Sequence, residues 1–160
     1  MLAGRLAARC ASVTGIDRDE PIIRLARESV PTVSFVQGDF LSYGFAKASF
    51  DFACANTVLH HMDLGAALSK MADILRPGGR LAVVGLGADG SPADWIIGAA
   101  GIPVNKFYQR IRGERYSGAP VMEPDMTWSE VRKTATRLLP GVRYRRHLLW
   151  RYSLTWMKPG

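Results

Sequence analysis

The sequence predicts an α/β protein built on a doubly wound, mostly parallel sheet with an antiparallel C-terminal edge. Helix-like and strand-like segments alternate along most of the chain, which is typical of parallel α/β architecture. The run RLAVVGL at residues 80–86 is apolar throughout, as expected for a strand buried on both faces of such a sheet. Residues 142–156 instead alternate apolar and polar side chains, which predicts two antiparallel strands at the edge.

In the first third of the chain, the elements follow from the spacing of apolar residues. Leu2, Leu6 and Cys10 recur every fourth residue and predict a helix, and Ile22, Leu25, Ala26 and Ser29 predict one face of a second helix. Pro21 suits the first turn of that second helix. Short β-branched or aromatic runs predict three strands, at residues 12–17, 33–37 and 50–55.

In the rest of the chain, stop and start signals mark the boundaries of the elements. A helix is predicted over residues 64–75 and is stopped by Pro77-Gly78-Gly79, and another follows Thr127, which suits an N-cap. Residues 88–126 contain four prolines and only short helical pieces, at 93–100 and 106–111. The predicted order is therefore α-β-α-β-β-α-β-α-β-β.

Composition indicates a single globular domain covering residues 1–160. The chain is 48% hydrophobic and 22% charged, which excludes a disordered or fibrous protein. It has no run of about 18 apolar residues that could span a membrane, and its two cysteines cannot form a disulfide scaffold. We therefore expect a cytoplasmic protein without structural metal. The net charge of +7 is interpreted as a solvated strand face near the C-terminus rather than a phosphate-binding patch.

Acidic and amide side chains stand where the predicted strands end. Asp17 ends the first strand, Asp39 follows the second after Gly38, and Asn56 follows the third. Parallel sheets bind ligands at the carboxyl ends of their strands, and these hydrogen-bond acceptors suit ribose hydroxyls and an adenine amine. The structural alternatives are that Asp17 is only an N-cap for a helix over residues 19–29 and Asp39 only a turn residue.

Four segments together resemble the class I S-adenosylmethionine-dependent methyltransferases of the small-molecule type. In chain order they are VTGID at 13–17, FVQGDF at 35–40, FDFACANTVLHHM at 50–62 and LRPGGRLAVVG at 75–85. Each is weak alone, but their order and intervals are specific, and the resemblance covers essentially the whole chain. It implies a Rossmann-like fold and methyl transfer from S-adenosylmethionine to a small-molecule acceptor.

The resemblance also implies roles for individual residues of a cofactor site. Asp17 would accept hydrogen bonds from the ribose and Arg18 would flank the adenosine. Asp39 would accept a hydrogen bond from the adenine N6 amine, Phe40 would border the base, and Asn56 would lie beside the methionine end.

The acceptor side of the site is assigned on the same resemblance. His60 and His61 would face the substrate, where one imidazole could accept a proton, although a histidine at a helix start can also simply satisfy backbone groups. We expect no metal there, because adjacent histidines should point in different directions and no third ligand is suitably spaced. Residues 88–126 are expected to form a substrate lid, with Trp95, Phe107 and Tyr108 shaping the acceptor pocket.

Two other enzyme classes compete with methyl transfer to a small molecule. Residues 85–90 fit G-x-G-x-x-G and suggest an NAD(P)-dependent oxidoreductase, but no helix starts at the third glycine and no acid ends a second strand about 20 residues later. Enzymes that methylate base amines carry an N/D-P-P-aromatic run where this chain reads Asn56-Thr57-Val58-Leu59. No nucleic-acid partner is therefore expected.

The chain departs from the family pattern at its start. The family opens with a central strand and a glycine-rich turn, whereas Met1 aligns just beyond that turn. The strands at 12–17 and 50–55 would then each expose an unpaired edge, and each buried orphan group costs about 1–3 kcal/mol. Three explanations stay open, and with them the question of activity: a segment upstream of Met1, a non-catalytic binding or structural relative, or a strand donated by another chain, including a second copy.

Overall fold

The computed structural model describes residues 2–90, 126–147 and 150–160 and confirms the predicted order of elements. The helices are α1 (Leu2–Ala7), α2 (Glu20–Ser29), α3 (Leu64–Ile74) and α4 (Trp128–Leu138). The strands are β1 (Thr14–Asp17), β2 (Ser34–Gln37), β3 (Phe50–Asn56), β4 (Leu75–Leu86), β5 (Arg143–Arg146) and β6 (Arg151–Met157), and a short 3-10 helix covers Leu59–His61. The chain divides into two compact units, Met1–Phe45 and Ala46–Gly160.

The first unit contains a parallel pair of strands, β1 and β2, together with α1 and α2. Asp19 caps α2, because its side chain accepts a hydrogen bond from the backbone N–H of Ile22 at 3.3 Å. The face predicted for this helix is wrong in part: Ile23 and Ala26 are buried, whereas Ile22 and Leu25 are 47% and 63% exposed. Two adjacent isoleucines fit the same helical period, so spacing alone could not decide which of them faces inward.

The second unit is a four-stranded sheet in the order β3-β4-β6-β5. β3 and β4 are parallel, whereas β6 is antiparallel to both β4 and β5, which confirms the predicted antiparallel edge. Tyr152, Leu154 and Trp156 alternate inward along β6, as predicted, and join Leu81 and Val83 of β4 in the core. α3 packs against β4 and against α4.

The strand β4 starts five residues earlier than the sequence predicts. The chain leaves helical geometry at Leu75, which pairs with Phe50, and Gly78 takes a positive φ of 77° before the regular ladder resumes. Lys158 fixes this junction, since its Nζ donates to the carbonyls of Ala72 and Leu75 at 2.9 and 2.8 Å. A lysine from the C-terminus therefore satisfies carbonyls that the end of α3 leaves open.

Strands β1 and β3, like β2 and β5, are edge strands of the described sheets and have a single strand neighbour each. Among the described strands, β1 pairs only with β2, and β3 pairs only with β4. Each strand thus keeps one edge without a strand partner in the described part of the chain. These are the two strands that the sequence predicts to be incompletely paired when the family's central strand is missing.

Candidate functional site

In the first unit, the two predicted acids lie at neighbouring strand ends. Asp17 is the last residue of β1, and Asp39 stands two residues beyond the end of β2. The strands run parallel in register, with Asp17 opposite Gln37, and the N–H of Gly38 donates to the carbonyl of Asp17 at 2.8 Å. The parallel pairing therefore brings both carboxylates to one rim of the β1–β2 sheet, as the sequence predicts.

Asp17 is not the N-cap of the following helix. Its Oδ1 accepts a hydrogen bond from the backbone N–H of Asp19 at 3.0 Å, and Asp19 itself caps α2. The structural alternative for Asp17 is wrong in this respect, because the helix begins at Glu20 and its N-cap must directly precede it. Within the described residues, Oδ2 of Asp17 makes no hydrogen bond, which leaves it able to accept one from a ligand hydroxyl.

Asp39 is a turn residue, as the structural alternative predicts, but only its Oδ1 takes part in the turn, and its Oδ2 lies outside it. Its Oδ1 accepts hydrogen bonds from the backbone N–H groups of Leu41 and Ser42 at 2.7 and 3.3 Å. Its Oδ2 lies 3.6 Å from the guanidinium of Arg18, whose side chain is 60% exposed. An exposed ion pair of that length is weak, so a ligand amine can compete for this oxygen.

Phe40 belongs to a small aromatic cluster in the loop after β2. Its ring centroid lies 6.2 Å from that of Phe45, which in turn lies 4.6 Å from that of Tyr43. Phe40 is half-buried. It stands directly beside Asp39 in the chain.

In the second unit, Asn56 is the last residue of β3 rather than the first residue after it. Its side chain is exposed, and its Oδ1 accepts a hydrogen bond from the hydroxyl of Thr57 at 3.4 Å. Thr57 has a φ of 55°, and its N–H donates to the carbonyl of Val84 at 2.7 Å. A β-branched residue in this conformation marks a tight and strained turn at the strand end.

The two histidines lie side by side in the 3-10 helix that follows this turn. Their ring centroids are 3.9 Å apart with the planes at 41°, so the expectation that adjacent imidazoles point in different directions is wrong. Both rings fold toward each other, although in a 3-10 helix only residues three apart eclipse. No group of three metal-ligating side chains is found in residues 2–90, 126–147 and 150–160.

Two of the three glycines of the 85–90 motif make room for aromatic side chains of the chain itself, and Gly90 makes room for Thr127. A Cβ at Gly85 would overlap the hydroxyl of Tyr152, and one at Gly87 would stand 2.8 Å from the ring of Trp128. In a dinucleotide site such glycines let the backbone approach a pyrophosphate. The packing here favours an internal structural role and disfavours the oxidoreductase interpretation.

Asp89 of the same motif holds an internal cluster that the sequence did not predict. The Oδ1 atom accepts hydrogen bonds from Trp128 Nε1 at 3.0 Å and Arg146 at 3.4 Å, and Oδ2 accepts one from Trp150 Nε1 at 3.3 Å. The guanidinium of Arg146 lies 4.2 Å from the centroid of the Trp128 ring. We name these four residues the Asp89 cluster; only the glycine spacing hinted at such close packing.

The predicted lid falls largely outside the described residues, and so do Trp95, Phe107, Tyr108 and the helical pieces at 93–100 and 106–111. The segments that flank it are described and joined. The N–H of Ala88 donates to the carbonyl of Met126 at 2.9 Å, and Ala88 forms a parallel bridge with Thr127. In the described ranges, no helix has the length and hydropathy needed to cross a bilayer.

Comparison with known proteins decides the family. Residues 1–83 match the family described as a methyltransferase domain. The chain belongs to the class I S-adenosylmethionine-dependent methyltransferases. An uncharacterized methyltransferase of Mycobacterium tuberculosis is 32% identical over 169 aligned positions, which cover 99% of this chain and 82% of that protein.

Solved structures support the same fold. A SAM-dependent methyltransferase from Methanosarcina mazei matches with a TM-score of 0.66 at 20% identity, covering 97% of this chain and 85% of that one. The [4+2]-cyclase SpnF matches with a TM-score of 0.63 at 17% identity over 97% of this chain and 70% of its own. Fold therefore does not by itself fix the reaction, which must be argued from the site.

Proposed function

We propose that this methyltransferase-family chain binds S-adenosylmethionine and transfers the methyl group to a small-molecule acceptor. The observation that carries the proposal is the pair of carboxylates at the ends of β1 and β2. Each uses Oδ1 to hold its own turn and presents Oδ2 outward, in Asp17 without a hydrogen bond to the described residues and in Asp39 with only a 3.6 Å ion pair. Ionised carboxylates can only accept hydrogen bonds, so this pair fits a ligand that donates from hydroxyl and amine groups.

The residues of the first unit would hold the adenosine part. Asp17 would accept hydrogen bonds from the ribose hydroxyls, and Asp39 would accept one from the adenine N6 amine. The amine would replace part of the contact between Arg18 and Oδ2 of Asp39. Phe40 borders the base, and Arg18 flanks the adenosine. Each hydrogen bond to a carboxylate of this kind contributes about 1.5–3 kcal/mol to the binding free energy.

The second unit would contribute to the methyl-transfer step. Asn56 would lie beside the methionine end of the cofactor, and His60 or His61 would accept the proton that the acceptor loses. When bound, S-adenosylmethionine supplies an electrophilic methyl group. The chain's contribution is mainly to align the acceptor and to take up its proton.

We also propose a cytoplasmic location and no nucleic-acid partner. The chain has only two cysteines, Cys10 and Cys54, too few for a disulfide scaffold, which suits a reducing compartment. The sequence at Asn56-Thr57 lacks the run that base-amine methyltransferases carry at this place. Donation of a strand by a second copy or by another chain is tested by the mass of the protein in solution.

Calorimetric titration with S-adenosylmethionine tests the proposal. We expect the wild-type chain to bind, and Asp17→Asn and Asp39→Asn each to weaken binding about 10- to 100-fold, because each removes a charge-assisted hydrogen bond. Asp73→Asn is the matched control, since this exposed acid forms only a surface ion pair with Lys47 at 3.6 Å. Absence of binding heat in the wild type supports the non-catalytic alternative for this chain, and unchanged affinity in both acid variants refutes the assigned site.

A further inference from the structure

A small, partly open cavity lies in the second unit, at the carboxyl end of β4. Its volume is about 50 Å³. The described residues that line it come from the 3-10 helix and the turn after it, from α3, β4, α4 and β6, and from the residues just before α4: Leu59, His60, Met62, Leu64, Leu86, Met126, Val131 and Tyr152. All of these residues lie within the described part of the second unit.

Among the described lining residues, all but two have apolar side chains. Leu59, Leu64 and Val131 are 2%, 5% and 1% exposed, so these walls are fixed by the core. Met62 and Met126 are half-buried and have flexible thioether side chains that adapt to what they contact. His60 and Tyr152 are the lining residues with polar side-chain atoms.

The volume decides what the cavity can hold. A single water needs about 10–15 Å³, and a dry engineered cavity that binds benzene measures about 150 Å³. Whole drug-sized ligands occupy about 300–1,000 Å³. A cavity of about 50 Å³ therefore fits a group of a few heavy atoms, such as the aliphatic end of a larger molecule.

Tyr152 is held as a hydrogen-bond donor at this position. Its ring stacks with that of Tyr144 at 6.0 Å and 22° and lies across Gly85, where a Cβ would overlap the hydroxyl. Burial, with a smaller contribution from Tyr144, raises the pKa of Tyr152 to about 12. The hydroxyl therefore keeps its proton at neutral pH, so it can donate to a ligand oxygen but cannot act as a base.

We propose that this cavity anchors the methyl acceptor by a short aliphatic end whose adjoining carbonyl or hydroxyl oxygen accepts a hydrogen bond from Tyr152. The inference rests on the proposed methyl transfer, because it assigns the cavity to the acceptor. The same cavity is lined by His60, so an acceptor anchored there would extend past an imidazole that can take its proton. The substrate class is thus an apolar molecule with an oxygen next to a small aliphatic terminus.

Methionine methyl groups provide a direct test in the 160-residue chain. With carbon-13 in the methyl groups of its six methionines, the chain is exposed to xenon, which enters dry apolar cavities, and separately to 2-butanone as an oxygen-bearing probe. We expect the signals of Met62 and Met126 to shift with either probe. Met71, which is 3% exposed in the core, and Met157, which is 59% exposed, are internal references and should not shift.

Three variants separate the apolar and polar parts of the anchor. Leu86→Phe fills the cavity and should abolish both responses, whereas Val84→Phe places the same ring two residues earlier on the same face of β4, outside the cavity lining. Tyr152→Phe should leave the xenon response unchanged and weaken 2-butanone binding about two- to tenfold, the contribution of one neutral hydrogen bond.

The outcomes distinguish this inference from the proposed function. Equal shifts at all described methionines, no shift at Met62 and Met126, or a response that survives Leu86→Phe but not Val84→Phe would overturn the cavity as a binding site. Unchanged 2-butanone affinity in Tyr152→Phe would overturn the role of its hydroxyl. Binding of S-adenosylmethionine is measured separately through Asp17 and Asp39, so either proposal can fail while the other stands.

Discussion

Replacing Asp89 by asparagine tests whether burial or distance determines the strength of an ion pair in this protein. The Asp89 carboxylate is 13% exposed and its partner Arg146 is 22% exposed, although their closest atoms are 3.4 Å apart. Asp51 and Arg76 form a shorter pair at 2.8 Å, with side chains 81% and 52% exposed. Distance alone would rank the Asp51 pair as stronger, whereas screening by water predicts the opposite order.

The geometry of the Asp89 cluster sets the size of the effect. In Asp89→Asn, an amide nitrogen at the place of Oδ2 would face the indole N–H of Trp150, and one at the place of Oδ1 would face both Trp128 and Arg146. Every orientation therefore puts a donor against a donor and leaves a mostly buried guanidinium without its carboxylate. One lost hydrogen bond to a charged group costs about 1.5–3 kcal/mol, so we expect a total of about 2–4 kcal/mol.

Urea unfolding followed by tryptophan fluorescence measures this difference. All four tryptophans lie in the second unit, so the signal reports the unit that contains both ion pairs. Asp51→Asn is the matched control, with an expected loss below about 1 kcal/mol. Midpoints are compared at a common slope. A loss in Asp51→Asn equal to that in Asp89→Asn would refute the reasoning, and so would a loss below about 1 kcal/mol in Asp89→Asn.

Three further predictions concern the same unit and one control outside it. Gly85→Ala should destabilise the protein by about 1–3 kcal/mol, because its methyl group would overlap Tyr152. Gly44→Ala, which meets nothing within 4 Å, should be neutral or slightly stabilising. Both variants are compared by unfolding followed by far-ultraviolet circular dichroism, which reports both units. Thr127→Ala should cost about 1 kcal/mol by removing the capping box with Glu130, and Thr127→Ser should restore most of it, as thermal unfolding will show. The pKa of Tyr152 is raised to about 12 in the folded state, so its contribution to the free energy of unfolding is complete below pH 10 and should fall as the pH rises toward 12. Between these pH values the free energy of unfolding should decrease by about 1.4 kcal/mol per pH unit. Unfolding of Tyr152→Phe measured over the same range should not show this decrease.

The order of the elements was predictable because their boundaries are set locally. Thr127 with Glu130 and Pro21 near the start of α2 act within one helical turn. The early start of β4 was not predictable in this way. It depends on pairing with Phe50 and on Lys158 reaching back from the C-terminus, and both contacts join residues far apart in the sequence.

The candidate site likewise has a part that local sequence determines and a part that depends on long-range packing. The positions of Asp17 and Asp39 follow from where two short strands end, so a single sequence suffices to place them. The arrangement of His60 and His61 does not, because the rotamers of neighbouring rings depend on the packing around the 3-10 helix. The cavity could not be predicted from local sequence, because its described lining residues span positions 59 to 152 and meet only in the folded chain.

The glycine motif at residues 85–90 shows what such a pattern does and does not specify. The glycine spacing indicates that another group of atoms approaches the backbone closely, because a side chain at these positions would collide with that group. In a dinucleotide site the approaching group is a pyrophosphate, whereas here it is Tyr152 at Gly85 and Trp128 at Gly87. Both aromatic residues lie more than 40 positions further along the chain. The glycines that resemble a cofactor loop therefore leave room for Tyr152, which lines the cavity, and for Trp128, which belongs to the Asp89 cluster.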